Sequence, residues 1–314
     1  MLKKMDKQIT DTIIMIEPVA FGFNAGTAVN NYFQQANDQP EAAIQKLALE
    51  EFTAMVKLLL EKGIHVIVVK DTPKPHTPDS IFPNNPVSFQ EDGQIILYPM
   101  FAENRRLERK KDFLYQLAGH GIVIAEIVDM THHEGNQRFL EGTGSMVLDH
   151  ENKIAYAALS ERTDRMLFEL FCAENGYHPI SFHAFQSVGL RRLPVYHTNV
   201  MLCVADKFVV VCMESLDHKQ ERDLLITSFR KTGKEIIEIS EKQMHSFAGN
   251  MLQVRNSANQ LFLVLSKSAY DALDEKQVNR LKSYNELIVV PVPTIEKYGG
   301  GSVRCMMLEV FGKP

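Results

Sequence analysis

Four side chains able to take part in covalent chemistry stand at matching points of four similar segments. Asp79 lies in TPDSIFPNNP, Glu141 in RFLEGTGSM, His197 in PVYHTNVML and Cys305 in GGGSVRCMML. A cysteine, a histidine and a carboxylate that share one site supply a nucleophile, a general acid–base and a group that orients the histidine. The sequence therefore indicates catalysis by a nucleophilic thiol, provided that the fold brings these segments together.

Cys305 differs from the other cysteines in its surroundings. The glycines 299–301 precede it and would let the backbone approach a ligand closely, while the adjacent Arg304 or a protonated histidine would raise the thiolate fraction. The alternatives are that Cys305 is a small buried residue at the start of a strand and that His197 is an ordinary core histidine. The remaining cysteines stand in apolar or helical runs typical of buried positions: Cys172, Cys203 and Cys212.

Four stretches share one pattern, in which a small polar tip is followed by two short apolar strands joined by a polar turn. They are NNPVSFQEDGQIILYPM from Asn84, GTGSMVLDHENKIAYAAL from Gly142, HTNVMLCVADKFVVVCM from His197 and GNMLQVRNSANQLFLVLS from Gly249. The alternation of apolar residues and the turn chemistry predict a β-hairpin in each stretch.

A helical segment and a third strand follow each hairpin. The helical segments are AENRRLERKKDFLYQLAGH, ERTDRMLFELFCAENG, HKQERDLLITSFRKTG and YDALDEKQVNRLKSYN, and the strands are GIVIAEIV, HPISF, EIIEIS and ELIVVPV. The N-terminal region repeats the order strand–helix–strand, and its first strand is expected to pair with the C-terminal CMMLEVF.

These patterns predict an α/β fold of five ββαβ units arranged around an axis, within a single domain that spans residues 1–314. A doubly wound parallel sheet is the alternative, but that architecture does not expect a tight hairpin before each helix. If the units surround an axis, the four reactive side chains converge at its centre.

Composition excludes several classes of function. Lysine and arginine together number 34 against 39 aspartates and glutamates, and they are scattered, which argues against a nucleic-acid partner. No stretch reaches the roughly 18 apolar residues of a membrane span, and the N-terminal MLKKMDKQITD lacks the apolar region of an export signal. The cysteines have no metal-binding spacing, and the adjacent His132 and His133 cannot readily bind one ion together. We expect a cytoplasmic protein with free thiols and neither membrane nor metal partners.

Together the motifs resemble the arginine deiminase and amidinotransferase superfamily, the penteins, whose fold is a five-bladed α/β-propeller. The resemblance extends over nearly the whole chain and is strongest in D-x-x-F-x-x-N from Asp79, L-E-G-x-G from Leu140, His197-x-Asn199 and R-C-M from Arg304. The N-terminal MIEPVAFGFNAGTAVNNYFQ further resembles a bacterial branch whose members are linked to the use of citrulline.

This resemblance implies a role for each motif. Cys305 would attack the central carbon of a guanidino or ureido group, His197 would protonate the departing amine and then activate water, and Glu141 would orient His197. Asp79 would bind the N–H groups of a small amino-acid substrate, without a metal or an organic cofactor. Further candidates for substrate binding are Phe82, Asn85, Asn199 and Arg304. A homodimer is left open.

Two departures from the family pattern bear on the substrate. Deiminases of this superfamily usually have His-x-Asp, whereas Asn199 offers both a donor and an acceptor and so favours a neutral ureido group such as that of citrulline. Ser145 stands near the place where many relatives have another acid. The α-carboxylate of an amino acid would need a cation, for which Arg138, Arg191 and Arg192 are candidates by their proximity to the motifs; the alternative for each is an ordinary surface arginine.

The first hypothesis is therefore a cysteine hydrolase of guanidino or ureido amino acids that releases ammonia. An amidinotransferase would use the same side chains, with an amine in place of water. A non-catalytic binding module is the alternative of another class, since a ribosome anti-association factor shares the fold, but the four reactive side chains argue against it. A papain-like protease normally has its cysteine before its histidine, the reverse of the order here.

Overall fold

A computed structural model describes residues 8–36, 38–90, 93–109, 113, 116–117 and 119–311. Strands and helices alternate along most of this length, so the chain has a mixed α/β fold. None of the described helices is both long enough and apolar enough to cross a membrane.

Five three-stranded sheets with one common order form most of the described structure. In each sheet an antiparallel pair is extended by a third strand that lies parallel to the middle one. The sheets are β3 (Val87–Phe89), β4 (Gln94–Leu97) and β5 (Glu126–Asp129); β6 (Val147–Asp149), β7 (Ile154–Ala158) and β8 (His178–Phe182); β11 (Leu202–Val204), β12 (Phe208–Val211) and β13 (Glu235–Glu238); β14 (Leu252–Arg255), β15 (Leu261–Ser266) and β16 (Glu286–Val290); and β17 (Leu308–Val310), β1 (Thr12–Glu17) and β2 (His65–Lys70). The predicted hairpins and third strands are confirmed, and the antiparallel pairs are inconsistent with a purely parallel sheet.

The two ends of the chain meet in one of these sheets. Strand β17 pairs antiparallel with β1, in the register Thr12 to Val310, and β2 extends β1 in parallel. The predicted pairing of the N-terminal strand with the C-terminal segment is confirmed. It brings the loop that contains Cys305 into the same layer as the start of the chain.

Capping residues mark both ends of the helix Arg165–Asn175. Asp164 accepts a hydrogen bond from the Leu167 N–H at the start of one helix, and Gly176 ends that helix with a φ of 71°. The described helices are Ala25–Ala28, Glu41–Glu61, Glu103–Arg106, Gly142–Ser145, Arg165–Asn175, Lys219–Lys231, Glu241–Met244, Lys267–Ala272, Glu275–Lys282 and Pro293–Gly299, and 3₁₀ turns span Thr131–Asn136, Thr198–Val200 and Met213–Ser215.

Two predicted helical segments differ in detail. The segment 270–285 divides into two helices because Asp274 caps the second one in a reciprocal arrangement with Gln277. The segment 102–120 begins with the helix Glu103–Arg106, while positions 110–112, 114–115 and 118 lie outside the described residues.

A two-stranded hairpin is added to the repeat. Strands β9 (Phe185–Val188) and β10 (Arg191–Pro194) pair antiparallel between β8 and the turn that contains His197. Gly189 at its tip has a φ of 60°, which favours glycine, and Leu190 is fully exposed. The sequence analysis did not anticipate this hairpin.

The core is formed by the apolar faces of the sheets and of the helices packed on them. Phe208, Val210 and Phe229 are among the fully buried side chains of the largest cluster. Cys172, Cys203 and Cys212 are free and buried, as predicted. A second buried population is polar and surrounds the turns that precede the first strands of the units.

Candidate active site

The thiol of Cys305 is held between two asparagine side chains. Its Sγ accepts from Asn250 Nδ2 at 3.3 Å and from Asn199 Nδ2 at 3.5 Å, and the residue is 3% exposed. The orientation of Asn250 is fixed because its Oδ1 accepts the Arg304 N–H at 3.0 Å while its Nδ2 also donates to the Asn199 carbonyl. Two amide donors, one of them fixed in orientation, therefore hold the sulfur in place.

The glycines before Cys305 make room for other parts of the protein. A Cβ on Gly299 or Gly301 would come within 2.8 or 2.9 Å of the Phe82 ring, and one on Gly300 would lie 2.6 Å from the Asn31 side chain. Gly300 also has a φ of 61°, and its carbonyl accepts from the Tyr196 hydroxyl at 2.7 Å. The glycine loop is therefore packed against the D-x-x-F segment, which fixes the position of the thiol.

His197 and Glu141 form a buried pair. His197 Nε2 lies 2.7 Å from Glu141 Oε2, and the two side chains are 2% and 0% exposed. Burial lowers the pKa of His197 to about 4, against the opposing effect of Glu141. Burial alone would raise the pKa of Glu141, but Arg162 and the hydrogen bond from His197 lower it to about 2. At neutral pH the pair is therefore a neutral imidazole beside a carboxylate.

Main-chain and side-chain donors hold the Glu141 carboxylate in place. Its Oε1 accepts the Phe101 N–H at 2.9 Å, and Arg162 Nη1 lies 3.6 Å from its Oε2. The Ser145 hydroxyl accepts the Glu141 N–H and donates to the Arg162 carbonyl. Ser145 thus binds the main chain of both Glu141 and Arg162.

The carboxylate also determines which imidazole nitrogen carries the proton. An ionised glutamate only accepts hydrogen bonds, so His197 Nε2 must donate and Nδ1 is left as the basic nitrogen. A Cβ on Gly144 would lie 2.7 Å from His197 Nδ1 and 2.3 Å from Asn85 Nδ2. The basic nitrogen therefore faces the side of the site formed by Gly144 and Asn85.

Gly144→Ala should displace the imidazole ring of His197. The added methyl cannot fit without moving His197 or Asn85, so we expect kcat to fall by about 100-fold or more, as for a misplaced catalytic group. Gly135→Ala is the matched control, because a Cβ there meets no atom of the described residues within 4 Å. Steady-state kinetics of both variants test this, and a fully active Gly144→Ala protein would show that the ring is not fixed from this side.

Asp79 is a buried carboxylate with one oxygen unoccupied. Its Oδ2 accepts from Asn24 Nδ2 at 2.8 Å and from the Thr27 hydroxyl at 3.1 Å, whereas Oδ1 has no hydrogen-bond partner among the described residues. Burial raises the pKa of Asp79, an effect that Arg105 only partly offsets. A cationic donor placed against Oδ1 would complete the coordination of this carboxylate.

Asn85 leaves a donor unoccupied in the same region. Its Oδ1 accepts from Arg105 Nη1 at 2.8 Å, and because arginine can only donate, Asn85 Nδ2 must be the free donor. Arg105 itself is fixed by two 2.9 Å bonds to Glu108. Asn199 Oδ1 is likewise buried without a partner. Within the described part of the chain, Asp79 Oδ1 and Asn199 Oδ1 are thus unoccupied acceptors of the site and Asn85 Nδ2 is an unoccupied donor.

The other predicted substrate-binding arginines already have protein partners or lie at the surface. Arg304 binds Glu309 at 2.6 Å and the Met307 carbonyl at 2.9 Å through its guanidinium. Arg138 contacts the Met166 sulfur at 3.1 Å, and Arg192 pairs with Asp217 while Arg191 is exposed. A role for these arginines in binding substrate stays a prediction.

The structure adds residues that the sequence analysis did not single out. Arg105 and Arg162 are buried cations beside the predicted carboxylates, and Asn24 and Thr27 bind Asp79. Asn250 contacts the thiol, and it stands at the polar tip of the fourth unit, which is the register that revealed the other site residues. That register is the signal by which Asn250 could have been found.

A cavity of about 210 Å³ opens beside this cluster. It is lined by residues of the segment after the first short helix, of the Ser160–Arg162 turn and of the segment before His197: Asn30, Tyr32, Ser160, Glu161, Arg162, Pro194 and Tyr196. The Arg162 guanidinium lies 4.9 Å from the centre of the Tyr196 ring, which holds it at the cavity wall.

Solved structures share this fold. The structure of apo ArgZ, an arginine dihydrolase from the ornithine–ammonia cycle in cyanobacteria, matches with a TM-score of 0.73 at 15% identity, over 96% of this chain and 41% of that chain. The N-terminal domain of ArgZ, a cysteine-to-serine variant bound to substrate, matches with a TM-score of 0.69 at 14% identity, over 96% and 98% of the two chains.

A structure of dimethylarginine dimethylaminohydrolase, as an adduct with S-methyl-L-thiocitrulline, matches with a TM-score of 0.60 at 16% identity, over 96% and 99% of the two chains. The chain thus spans about two fifths of full-length ArgZ, and identities this low show the fold alone. No curated protein matches the sequence.

A family model identifies the family of the chain. The model described as N,N dimethylarginine dimethylhydrolase, eukaryotic, matches residues 17–312, which is nearly the entire chain. Together with the structural neighbours it confirms the predicted superfamily. The chain belongs to the N,N dimethylarginine dimethylhydrolase family, within the pentein superfamily.

Proposed function

We propose that the chain is a cysteine-dependent hydrolase of a guanidino amino acid, with arginine as the favoured substrate. The observation that supports it best is the buried Asp79 carboxylate, whose unpaired Oδ1 lies in the same cluster as the Cys305 thiol and the His197–Glu141 pair. A guanidinium group carries a positive charge and offers only N–H donors. It would therefore give Asp79 Oδ1 the cationic hydrogen-bond donor that the described residues do not provide.

The charges of the cluster favour a cation. Three buried carboxylates of this cluster, those of Asp79, Glu108 and Glu141, face two guanidinium groups, those of Arg105 and Arg162. Burial raises the pKa of Asp79, and it raises that of Glu108 to about 7, so the protein only partly stabilises a third negative charge in this cluster. A substrate guanidinium would supply the third cation.

The first half of the reaction forms a bond between Cys305 and the substrate. His197 Nδ1 takes the thiol proton, the thiolate attacks the guanidinium carbon, and the carbon becomes tetrahedral. The protonated His197 then gives its proton to one nitrogen, which leaves as ammonia, and an S-linked intermediate remains. Glu141 stabilises the imidazolium while it exists.

The second half restores the enzyme. Water loses a proton to His197 Nδ1 and attacks the S-linked carbon, and the thiolate leaves as the carbon–sulfur bond breaks. The product is a ureido amino acid, and the amide donors of Asn199 and Asn250 stabilise the departing thiolate. The structure of an ArgZ variant covalently bonded to a reaction intermediate is in line with such a step in a protein of this fold.

The amino-acid end of the substrate fits the adjoining cavity. Glu161 in its wall offers a carboxylate for an α-ammonium group, whereas the Arg162 guanidinium already binds the Asn30 side chain and the Thr27 carbonyl and lies beside Glu141.

A ureido amino acid such as citrulline is the second candidate substrate. Asn85 Nδ2 could donate a hydrogen bond to a ureido oxygen, and Asn199 stands where deiminases usually have a second carboxylate. An amidinotransferase would need an amine in place of water at the same site. A non-catalytic binding role would leave the buried thiol and the His197–Glu141 pair without a function.

The wider predictions are part of the same proposal. The five equal sheets support a five-bladed α/β-propeller, because equal units that each contribute to one site must face a common centre. The single domain over residues 1–314, the cytoplasmic location and the homodimer stay predictions.

Product formation from three candidate substrates tests the proposal. Purified protein with a chelator present is given arginine, citrulline or N,N-dimethylarginine, and ammonia and dimethylamine are measured. We expect ammonia from arginine, and we expect Asp79→Asn to reduce kcat/KM for arginine by about tenfold to 100-fold, the value of a charge-assisted hydrogen bond, with a smaller effect on citrulline.

The alternatives give different results in the same assay. A preference for citrulline that survives in Asp79→Asn would support the ureido candidate, and release of dimethylamine would indicate the substrate named by the family description. Product formation that requires an added amine acceptor would indicate a transferase. Inertness towards all three compounds would contradict the proposed function.

A further inference from the structure

Two histidines and a glutamate form a cluster at the surface, outside the candidate active site. His183 follows β8 directly, His218 precedes the helix Lys219–Lys231, and Glu221 lies in its first turn. One possible ligand atom from each residue lies within 4.8 Å of the other two. Because 38 positions separate His183 from Glu221, the sequence alone did not bring them together.

The protein holds the carboxylate of this cluster in place. Glu221 Oε2 accepts the His183 backbone N–H at 3.0 Å, and Glu221 Oε1 lies 2.8 Å from His183 Nδ1. The His218 ring meets the His183 ring edge-on, with 6.1 Å between the ring centres. The three side chains are therefore gathered before any ion is bound, which reduces the ordering that binding would require.

The donor set indicates a class of metal. Two imidazoles and one carboxylate suit Zn²⁺ and neighbouring divalent transition metals, whereas Ca²⁺ and Mg²⁺ prefer oxygen ligands alone. His218 is exposed and the other two are partly exposed, so water can complete the coordination.

We infer that His183, His218 and Glu221 form a surface site for a divalent transition metal, with Zn²⁺ as the best match. An ion there joins the end of β8, in one sheet, to the helix that leads to β13, in the next sheet. It also fixes the start of the β9–β10 hairpin, whose second strand leads to His197. Because the folded chain gathers the ligands and an unfolded chain does not, binding stabilises the fold.

Zinc titration of matched variants tests this inference. Cys305→Ser is the background for every variant, because a thiol beside a histidine can bind zinc as well. Chelator-stripped protein is titrated with ZnCl₂ by calorimetry, and thermal unfolding is followed with and without zinc. We expect one equivalent to bind and to raise Tm by several degrees, and we expect His183→Gln and His218→Gln each to weaken binding by about tenfold or more.

A control and a second probe keep the result interpretable. His178→Gln replaces an exposed histidine at the other end of β8 and should bind zinc like the background protein. Bound Co²⁺ should show no sulfur-to-metal absorption band. His218→Gln changes an exposed side chain, so it tests the site even if His183→Gln unfolds. Unchanged zinc affinity in His218→Gln, or an equal loss in His178→Gln, would overturn the inference.

Discussion

Replacing Cys305 by alanine is expected to reduce ammonia release from arginine by about 10⁴-fold or more, while substrate binding persists. The sulfur is the atom that would bond to the guanidinium carbon, and alanine leaves only the slow attack by water. The change also removes the sulfur acceptor of Asn199 Nδ2 and one of the two acceptors of Asn250 Nδ2, so we expect a loss of stability of about 1–3 kcal/mol.

Kinetics, calorimetry and thermal unfolding together separate the thiol's chemical role from a structural one. Cys203→Ala is the control, since Cys203 is also buried and burial raises the pKa of its thiol to about 12, which makes it a poor nucleophile. The control should retain activity, whereas Cys305→Ala should be inactive, folded and still able to bind arginine. Activity within tenfold of the wild type in Cys305→Ala would exclude covalent catalysis by this residue.

The sheets could be predicted because local sequence patterns within each unit specify its strands and turns. In β6 and β7, for example, the apolar alternation and the polar turn between Asp149 and Ile154 specify the hairpin locally. The β9–β10 hairpin could not be predicted in this way. Arg191 and Arg192 are exposed, so β10 has no apolar face from which alternation could be recognised.

The reactive residues could be placed by register, but their partners could not. Asn250 occupies the same register as the reactive side chains, yet an asparagine shows no chemical signature in a sequence. Arg162 binds the Asn30 side chain and the Thr27 carbonyl, which lie 132 and 135 positions away, and sequence reasoning cannot distinguish such a buried arginine from a surface one. The electrostatics of the site therefore depend on long-range contacts that only the structure shows.

The contacts of the buried carboxylates favour a different substrate from the one that Asn199 alone favours. Asn199 alone favours a neutral ureido group, because it replaces a carboxylate. In the structure Asp79, Glu108 and Glu141 face Arg105 and Arg162, and burial raises the pKa of Asp79 and raises that of Glu108 to about 7. A cationic substrate would therefore stabilise the ionised form of these carboxylates. The unpaired oxygen of Asp79 points to the same choice.

Glu141→Gln is expected to lower kcat by about 10³- to 10⁴-fold with little change in KM, the size of effect seen when a triad carboxylate becomes an amide. A glutamine can present its NH₂ group to His197 Nε2, which would move the imidazole proton to Nδ1. The nitrogen that should take the thiol proton would then be protonated already. Substrate binding through Asp79 should remain, because the two carboxylates bind different groups.

Glu134→Gln is a closely matched control for this change. Glu134 accepts the Met100 N–H at 2.8 Å and pairs with Arg109, just as Glu141 accepts the neighbouring Phe101 N–H and lies near Arg162. Both variants lose an ion pair and weaken a bond to the main chain, so similar losses of Tm are expected. Only Glu141→Gln should lose kcat, because Glu141 alone of the two contacts His197. Equal kcat in the two variants would mean that Glu141 supports the fold and does not set the protonation of His197.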